Sequence, residues 1–333
     1  MTSFRAALLA GTVLALASTG PALALDGVVA SIKPIHSLVA AVMKGVGEPS
    51  LIVSGSGSPH TYSMRPSEAQ MLEDAALVFW VGHDLEMFLD GPLETLAGDA
   101  TVVELGDAEG LTKLGYREGG PFDSHADHDD EAHDDEAHDH AHEHEDDETA
   151  EAGHDDHDHG ASDMHFWLDP ENAKIFVHEI ETALSAADPD NAATYKTNAA
   201  AASGRLDTLI ADTRAALDGL DDRGFVVFHD AYQYYENRFG IPAAGSVTVS
   251  PEVMPGAQRL SEIQARVREL GAACVFAEPQ FEPRLIDVVI EGTDAKAGVL
   301  DPLGAELDDG PDLYFELIGN LTTSLTTCLA GEG

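Results

Sequence analysis

Short runs of β-branched and apolar residues alternate with helix-patterned stretches along this whole chain, and that alternation restricts its architecture severely. Parallel neighbours in a sheet need a crossover, usually a helix, so a strand-helix-strand rhythm reads as α/β domains with mostly parallel sheets. In the first half the strand candidates are 28–32, 50–53, 77–81 and 101–105, with helices over 66–74 and 84–96. In the second half they are 225–228, 243–249, 274–277 and 298–300, with helices over 232–239, 255–270 and 314–329. Four strands on each side and a length of 333 residues fit about two domains.

The halves are joined by two helical stretches. The first, 170–186, opens with Asp169 as N-cap and Pro170 at the first helical position. The second runs from Asn191 to about Leu220 behind the capping signal Asp188-Pro189-Asp190. At 1.5 Å per residue it would reach about 45 Å, long enough to cross both domains as a stiff connector. A long surface helix confined to one domain is the plainer alternative.

Two segments stand outside this pattern. Arg5, the apolar run from Ala7 to Ala17, the Gly20-Pro21 breaker and Ala22-Leu23-Ala24 read as a signal peptide over residues 1–24. We therefore expect a secreted, periplasmic protein, and not a lipoprotein, because no cysteine lies near the cleavage site. The second segment lies within 123–163. Between Asp123 and His159 it holds 10 histidines and 18 acidic residues, with no lysine or arginine. It lacks the apolar content to offset the entropy of ordering, so it should be a disordered, solvated loop. Imidazoles two or three residues apart, as in His138-Asp139-His140-Ala141-His142 and His154-Asp155-Asp156-His157, can wrap a borderline cation. The neighbouring carboxylates favour imidazolium, so loop affinity should fall below about pH 6. A polar linker that binds metal incidentally is the bland reading.

Charge narrows the partners. With 61 acidic against 17 basic residues the formal net charge is -44, which repels nucleic acid and anionic lipid and tolerates cations. The two cysteines, Cys274 and Cys328, are expected to pair in an oxidising compartment and tie the C-terminal helix to a strand. Two buried thiols are the alternative.

A selective site needs fixed ligands, so histidines in ordered regions matter more than the loop. His60 follows a strand and a Gly/Ser turn, His165 ends the loop before Phe166-Trp167, and His229 terminates the strand 225–228. In open α/β sheets ligands bind outside the carboxyl ends of the strands, where His60 and His229 fall. His36, His83 and His178 occur singly and read as ordinary histidines, and Tyr232, Tyr234 and Tyr235 as packing against the cleft wall. Glu278, at a strand end, either orients a ligand histidine or is a surface carboxylate.

The segments His60-Thr61-Tyr62-Ser63-Met64-Arg65-Pro66-Ser67, His165-Phe166-Trp167-Leu168-Asp169-Pro170 and Phe228-His229-Asp230-Ala231-Tyr232 occur in that order. With the acidic insertion ahead of His165 and the two C-terminal cysteines, the chain resembles the metal-receptor solute-binding proteins of bacterial ABC importers. Within them it is most similar to the periplasmic component of high-affinity zinc uptake. The resemblance implies two domains joined by one long rigid helix: 25–187, carrying the loop, and 221–333, with the connector over 188–220. It implies one Zn²⁺ in the cleft between them, held by His60, His165 and His229. Relatives that carry manganese or iron have a carboxylate where His229 stands, and three imidazoles suit zinc. Some zinc-uptake relatives place a glutamate before the first histidine; Pro59 stands there, which leaves Asp301 or water. We assign the fourth position to Asp301. The implied partner is an inner-membrane ABC permease with its cytoplasmic ATPase, and the implied state a monomer. A manganese or iron receptor, or a histidine-rich metal buffer, is the alternative function. A zinc hydrolase fits poorly, because His178-Glu179-Ile180-Glu181-Thr182 lacks the second histidine of an H-E-x-x-H helix.

Overall fold

A computed structural model describes residues 25–117, 122, 162–220, 223–248, 255–282 and 284–330. The expected signal peptide, 1–24, and the histidine-rich stretch up to residue 161 lie outside the described residues.

Eight strands form two four-stranded, all-parallel sheets. The first holds β1 (Val28–Ile32), β2 (Ser50–Val53), β3 (Leu77–Trp80) and β4 (Thr101–Glu104) in the order β2-β1-β3-β4. The second holds β5 (Phe225–His229), β6 (Gly245–Thr248), β7 (Cys274–Ala277) and β8 (Lys296–Val299) in the order β6-β5-β7-β8. Both sheets thus reverse direction of growth after their second strand, with the switch point between β1 and β3 and between β5 and β7, and the crevice at such a point, outside the strands' carboxyl ends, is where α/β sheets take ligands.

The helices are α1 (Lys33–Val42), α2 (Pro66–Glu73), α3 (Asp90–Thr95), α4 (Pro170–Ala187), α5 (Ala192–Leu217), α6 (Gln233–Phe239), α7 (Ala257–Leu270), α8 (Arg284–Ile290) and α9 (Leu313–Leu329). Helix α4 begins as its sequence dictates, with the Asp169 side chain accepting from the Glu171 N–H at 2.9 Å and Pro170 at the first turn. The connector α5 is 26 residues, about 39 Å long, shorter than expected at its C-terminal end. It stops at Asp218, whose backbone turns extended, and Gly219 takes a φ of +78° that favours glycine. The stretch 84–96 is not one helix: a 3-10 turn over Met87–Leu89 precedes the short α3, because Pro92 has no N–H to give to a longer helix.

Helices α1 and α8 were not expected. All ten residues of α1 are buried, although Lys33, His36 and Ser37 share one side at helical spacing and Pro34 marks its first turn. It packs against α4, α5 and α9, and a single apolar core runs from Val28 in β1 to Leu329 in α9. A second cluster, including Val226, Phe228, Val275, Ile263 and Ile286, lies under α7 and α8. Strand alternation then puts Phe225, Val227 and His229 of β5 on the opposite face, toward the first half.

Several directed bonds cross between the halves. Lys33, buried, donates to the carbonyls of Ala305 (3.2 Å) and Leu307 (2.8 Å). Trp167 Nε1 donates to the Pro302 carbonyl at 2.7 Å, and Tyr314 Oη to the Trp167 carbonyl at 2.6 Å. Arg238 meets Asp169 through two 2.7 Å bonds, and Arg117 is held by Asp230 and Glu236. Among the described residues no helix is long and apolar enough to cross a membrane.

Cys274 and Cys328 are joined in a disulfide, tying α9 to β7 as expected. It closes a loop over a separation of 54 residues, worth roughly 4 kcal/mol if only the entropy of the unfolded chain counts. Replacing both cysteines by serine should lower the free energy of urea unfolding by about 2–4 kcal/mol, measured on metal-free protein by equilibrium denaturation.

Candidate metal centre

Each of the three histidines is delivered by a different device. His60 sits in the loop after β2, a loop braced by Tyr62, whose hydroxyl donates to the buried Glu68 at 2.8 Å and to the Ile52 carbonyl at 3.3 Å. Glu68 in turn accepts from the Arg65 N–H at 2.7 Å, which starts α2. His165 immediately precedes the buried 3-10 turn Phe166–Leu168. His229 is the last residue of β5.

Buried carboxylates orient two of the rings. Asp163 Oδ1 lies 2.7 Å from His165 Nδ1 and also accepts the His165 backbone N–H at 3.0 Å. Glu278 Oε1 lies 2.7 Å from His229 Nδ1. The latter contact follows from strand register: Phe225 pairs with Cys274 in parallel β5 and β7, so four residues on His229 stands beside Glu278. Carboxylates accept only, so in each neutral ring Nδ1 carries the proton and Nε2 presents a bare lone pair.

Those lone pairs converge. His165 Nε2 is 3.3 Å from His60 Nε2 and 3.3 Å from His229 Nε2, and all three ligand atoms lie within 4.8 Å of one another. Two bare imidazole nitrogens at that spacing repel unless a cation lies between them. Zinc–nitrogen bonds of 2.0–2.1 Å in a tetrahedron put the nitrogens about 3.3–3.4 Å apart, so the spacing fits such an ion. Burial, with His165 and His229 adding to it, holds the His60 imidazole well below its ordinary pKa, so it stays neutral and able to ligate. At His229 burial pulls down as well, but the Glu278 carboxylate outweighs it and the ring titrates above its ordinary value.

The structure does not bring Asp301 to this group. Its Oδ1 accepts from the N–H groups of Leu303 and Gly304, both at 3.0 Å, and from Gln280 Nε2 at 2.9 Å; its Oδ2 accepts from the Ala305 N–H at 2.6 Å. Occupied in this way, the carboxylate shapes the loop after β8 and lies outside the cluster of ligand atoms. The other single histidines also lie elsewhere. His36 Nε2 faces the Pro49 carbonyl at 3.0 Å, His83 pairs with Asp90 at 2.6 Å, and His178 is exposed on α4. Among the described residues the three histidines form the one group of three or more His, Cys, Asp or Glu side chains able to share an ion.

Glu278 therefore orients a histidine, the first of its two sequence readings. Asp163 was missed, counted with the acidic loop although it is fully buried. An acid two residues before a candidate ligand was the available signal. The tyrosines brace the site: Tyr232 Oη donates to the Leu300 carbonyl at 3.1 Å and Tyr234 Oη to that of Asp163 at 2.6 Å, while Tyr235 bonds Thr322 at 2.8 Å.

The profile of the family "Zinc-uptake complex component A periplasmic" matches residues 28–328. A high-affinity zinc uptake system protein, ZnuA, of Brucella suis biovar 1 is 53% identical over 308 residues, covering 92% of each chain. The ZnuA of Yersinia pestis is 37% identical over 307 residues, again covering 92% of each. A crystal structure of ZnuA superimposes with a TM-score of 0.72 at 22% identity, over 92% of this chain and 99% of that one; it shares the fold.

Removing one carboxylate should weaken the centre without removing a ligand. Glu278→Gln and Asp163→Asn should each lower affinity for a divalent transition metal by roughly 10–100-fold, read by competition with a chromophoric chelator.

Proposed function

The chain belongs to the periplasmic zinc-uptake component A family, and from that premise we propose that His60, His165 and His229 are the ligands that capture Zn²⁺ for delivery to an inner-membrane ABC permease. Proteins of this family are transport receptors, not enzymes, and zinc is the cargo. The observation that carries the ligand assignment is the pair of 3.3 Å Nε2 separations, with Nδ1 of two rings engaged by carboxylates. Such a set offers nitrogen lone pairs toward the ion and keeps its negative charges one residue further out.

That arrangement also disfavours the manganese and iron alternative. Hard cations want oxygen ligands, and the two nearby carboxylates, Asp163 and Glu278, each hold an imidazole N–H through one oxygen. Copper would accept three imidazoles as readily, so discrimination against it rests on availability in the compartment.

In this reading, the signal peptide over 1–24 exports the chain, which works as a monomeric periplasmic receptor, unlipidated. The first domain, 25–187, and the second, 221–333, hold zinc between them, and the connector 188–220 limits their relative motion to a small shift. The histidine-rich stretch adds several weak sites that raise the zinc concentration beside the cleft. Its C-terminal end runs directly into His165, so hand-over needs no large movement.

Replacing His229 by alanine should abolish tight zinc binding at neutral pH; an unchanged titration would remove this residue from the ligand set. Deleting 123–159 should leave one tight site intact and slow uptake only under zinc limitation. A deletion that loses all tight binding would show instead that the loop is the receptor and the protein a buffer.

A further inference from the structure

Gln280 follows the strand that leads to Glu278, and it lines the same pocket as His60, His165 and His229. Its amide is fixed in one sense. Nε2 donates to Asp301 Oδ1 at 2.9 Å, and a carboxylate can only accept, so the nitrogen faces Asp301 and Oε1 is turned away from it. That oxygen is shielded from solvent and meets no donor in the protein. Burying an acceptor without a donor costs about 1–3 kcal/mol, so an orphan of this kind beside a ligand set points to a partner that arrives with the ligand.

The ligand set says what that partner is. Three histidine nitrogens leave one tetrahedral position on Zn²⁺, and sites with three protein ligands fill it with water. A water bound to zinc is polarised and becomes a strong hydrogen-bond donor in need of an acceptor. Asp301 is not that acceptor, because its oxygens already take four donors from Gln280 and the 303–305 backbone. Glu278 Oε2, also buried without a donor in this pocket, is the rival acceptor, and a zinc-bound water donating to it instead of to Gln280 excludes the Gln280 role. We propose that Gln280 Oε1 is the hydrogen-bond acceptor for a water at the fourth position of the bound Zn²⁺, and that Asp301 acts through the Gln280 amide to aim it. Gln280 is thus a positioning residue for the cargo, and the inference rests on the three-histidine reading above. It also accounts for a carboxylate at the end of the last strand that neither ligates nor faces solvent freely.

The test uses the zinc-loaded protein. A crystal structure should show one water bonded to zinc and within hydrogen-bond distance of Gln280 Oε1. Zinc bonded directly by Oε1 or by an Asp301 oxygen, or a Gln280 amide pointing out of the pocket, overturns the proposal. Gln280→Met keeps the bulk without the oxygen, and Gln280→Asn withdraws the amide by one methylene. Each should lower zinc affinity roughly tenfold by chelator competition, at the lower end of what outer partners of a metal site contribute. Parental affinity in both variants also overturns it. His229→Ala, run alongside, separates the two levels: if that variant binds zinc normally the three-histidine reading fails first, whereas its loss beside unchanged Gln280 variants sinks this inference alone.

Discussion

The bonds from Asp163 to His165 Nδ1 and from Glu278 to His229 Nδ1, each 2.7 Å long and buried, fix everything that happens at the other edge of those rings. Once Nδ1 holds the proton, Nε2 presents a bare lone pair, and that of His165 stands 3.3 Å from the Nε2 atoms of both His60 and His229. Packing three lone pairs together is unfavourable without a cation between them, and two of the three rings are anchored from behind. The repulsion is relieved when a cation enters. Affinity at a site of this kind depends on ring geometry that the surrounding shell fixes.

The framework that carries those anchors is tied across the two halves by side chains far apart in sequence. Trp167, two residues beyond His165, donates to the Pro302 carbonyl, and Tyr314 of α9 donates to the Trp167 carbonyl. Arg117, just ahead of the histidine-rich insertion, is clamped by Asp230, the residue after His229, and by Glu236. Burial depresses that guanidinium's pKa, but the two carboxylates outweigh it and raise the pKa. Opening the site must break several of these bonds together, and the disulfide and the shared core of α1, α5 and α9 give little slack.

The strand-helix alternation made the two parallel sheets legible, because period and turn residues are local signals. Helix α1 escaped although its signals were local ones, Pro34 in the first turn and the polar side of Lys33, His36 and Ser37. The three histidines were legible through their motifs and their places beside strand ends. Asp163 was hidden at the end of a run of acids of the same residue types, although it is fully buried. Asp301 lies outside the cluster of ligand atoms for a different reason. Position at a strand end suggested a ligand, yet Asp301-Pro302-Leu303-Gly304 is also turn chemistry, with the aspartate accepting N–H groups two and three residues on. Between a ligand and a turn-former the sequence offers no arbiter except the count of donors around the oxygens.

That count also bears on selectivity. A carboxylate placed directly on the ion makes a site for hard cations, and the same carboxylate placed behind an imidazole makes one for zinc. This pocket has acids at three points around it, Asp163, Glu278 and Asp301, and each gives at least one oxygen to N–H donors. The negative charge still acts through the rings, strengthening the lone pairs that face the ion. Selectivity here is decided less by which residue types surround the metal than by which of their atoms the backbone has already claimed.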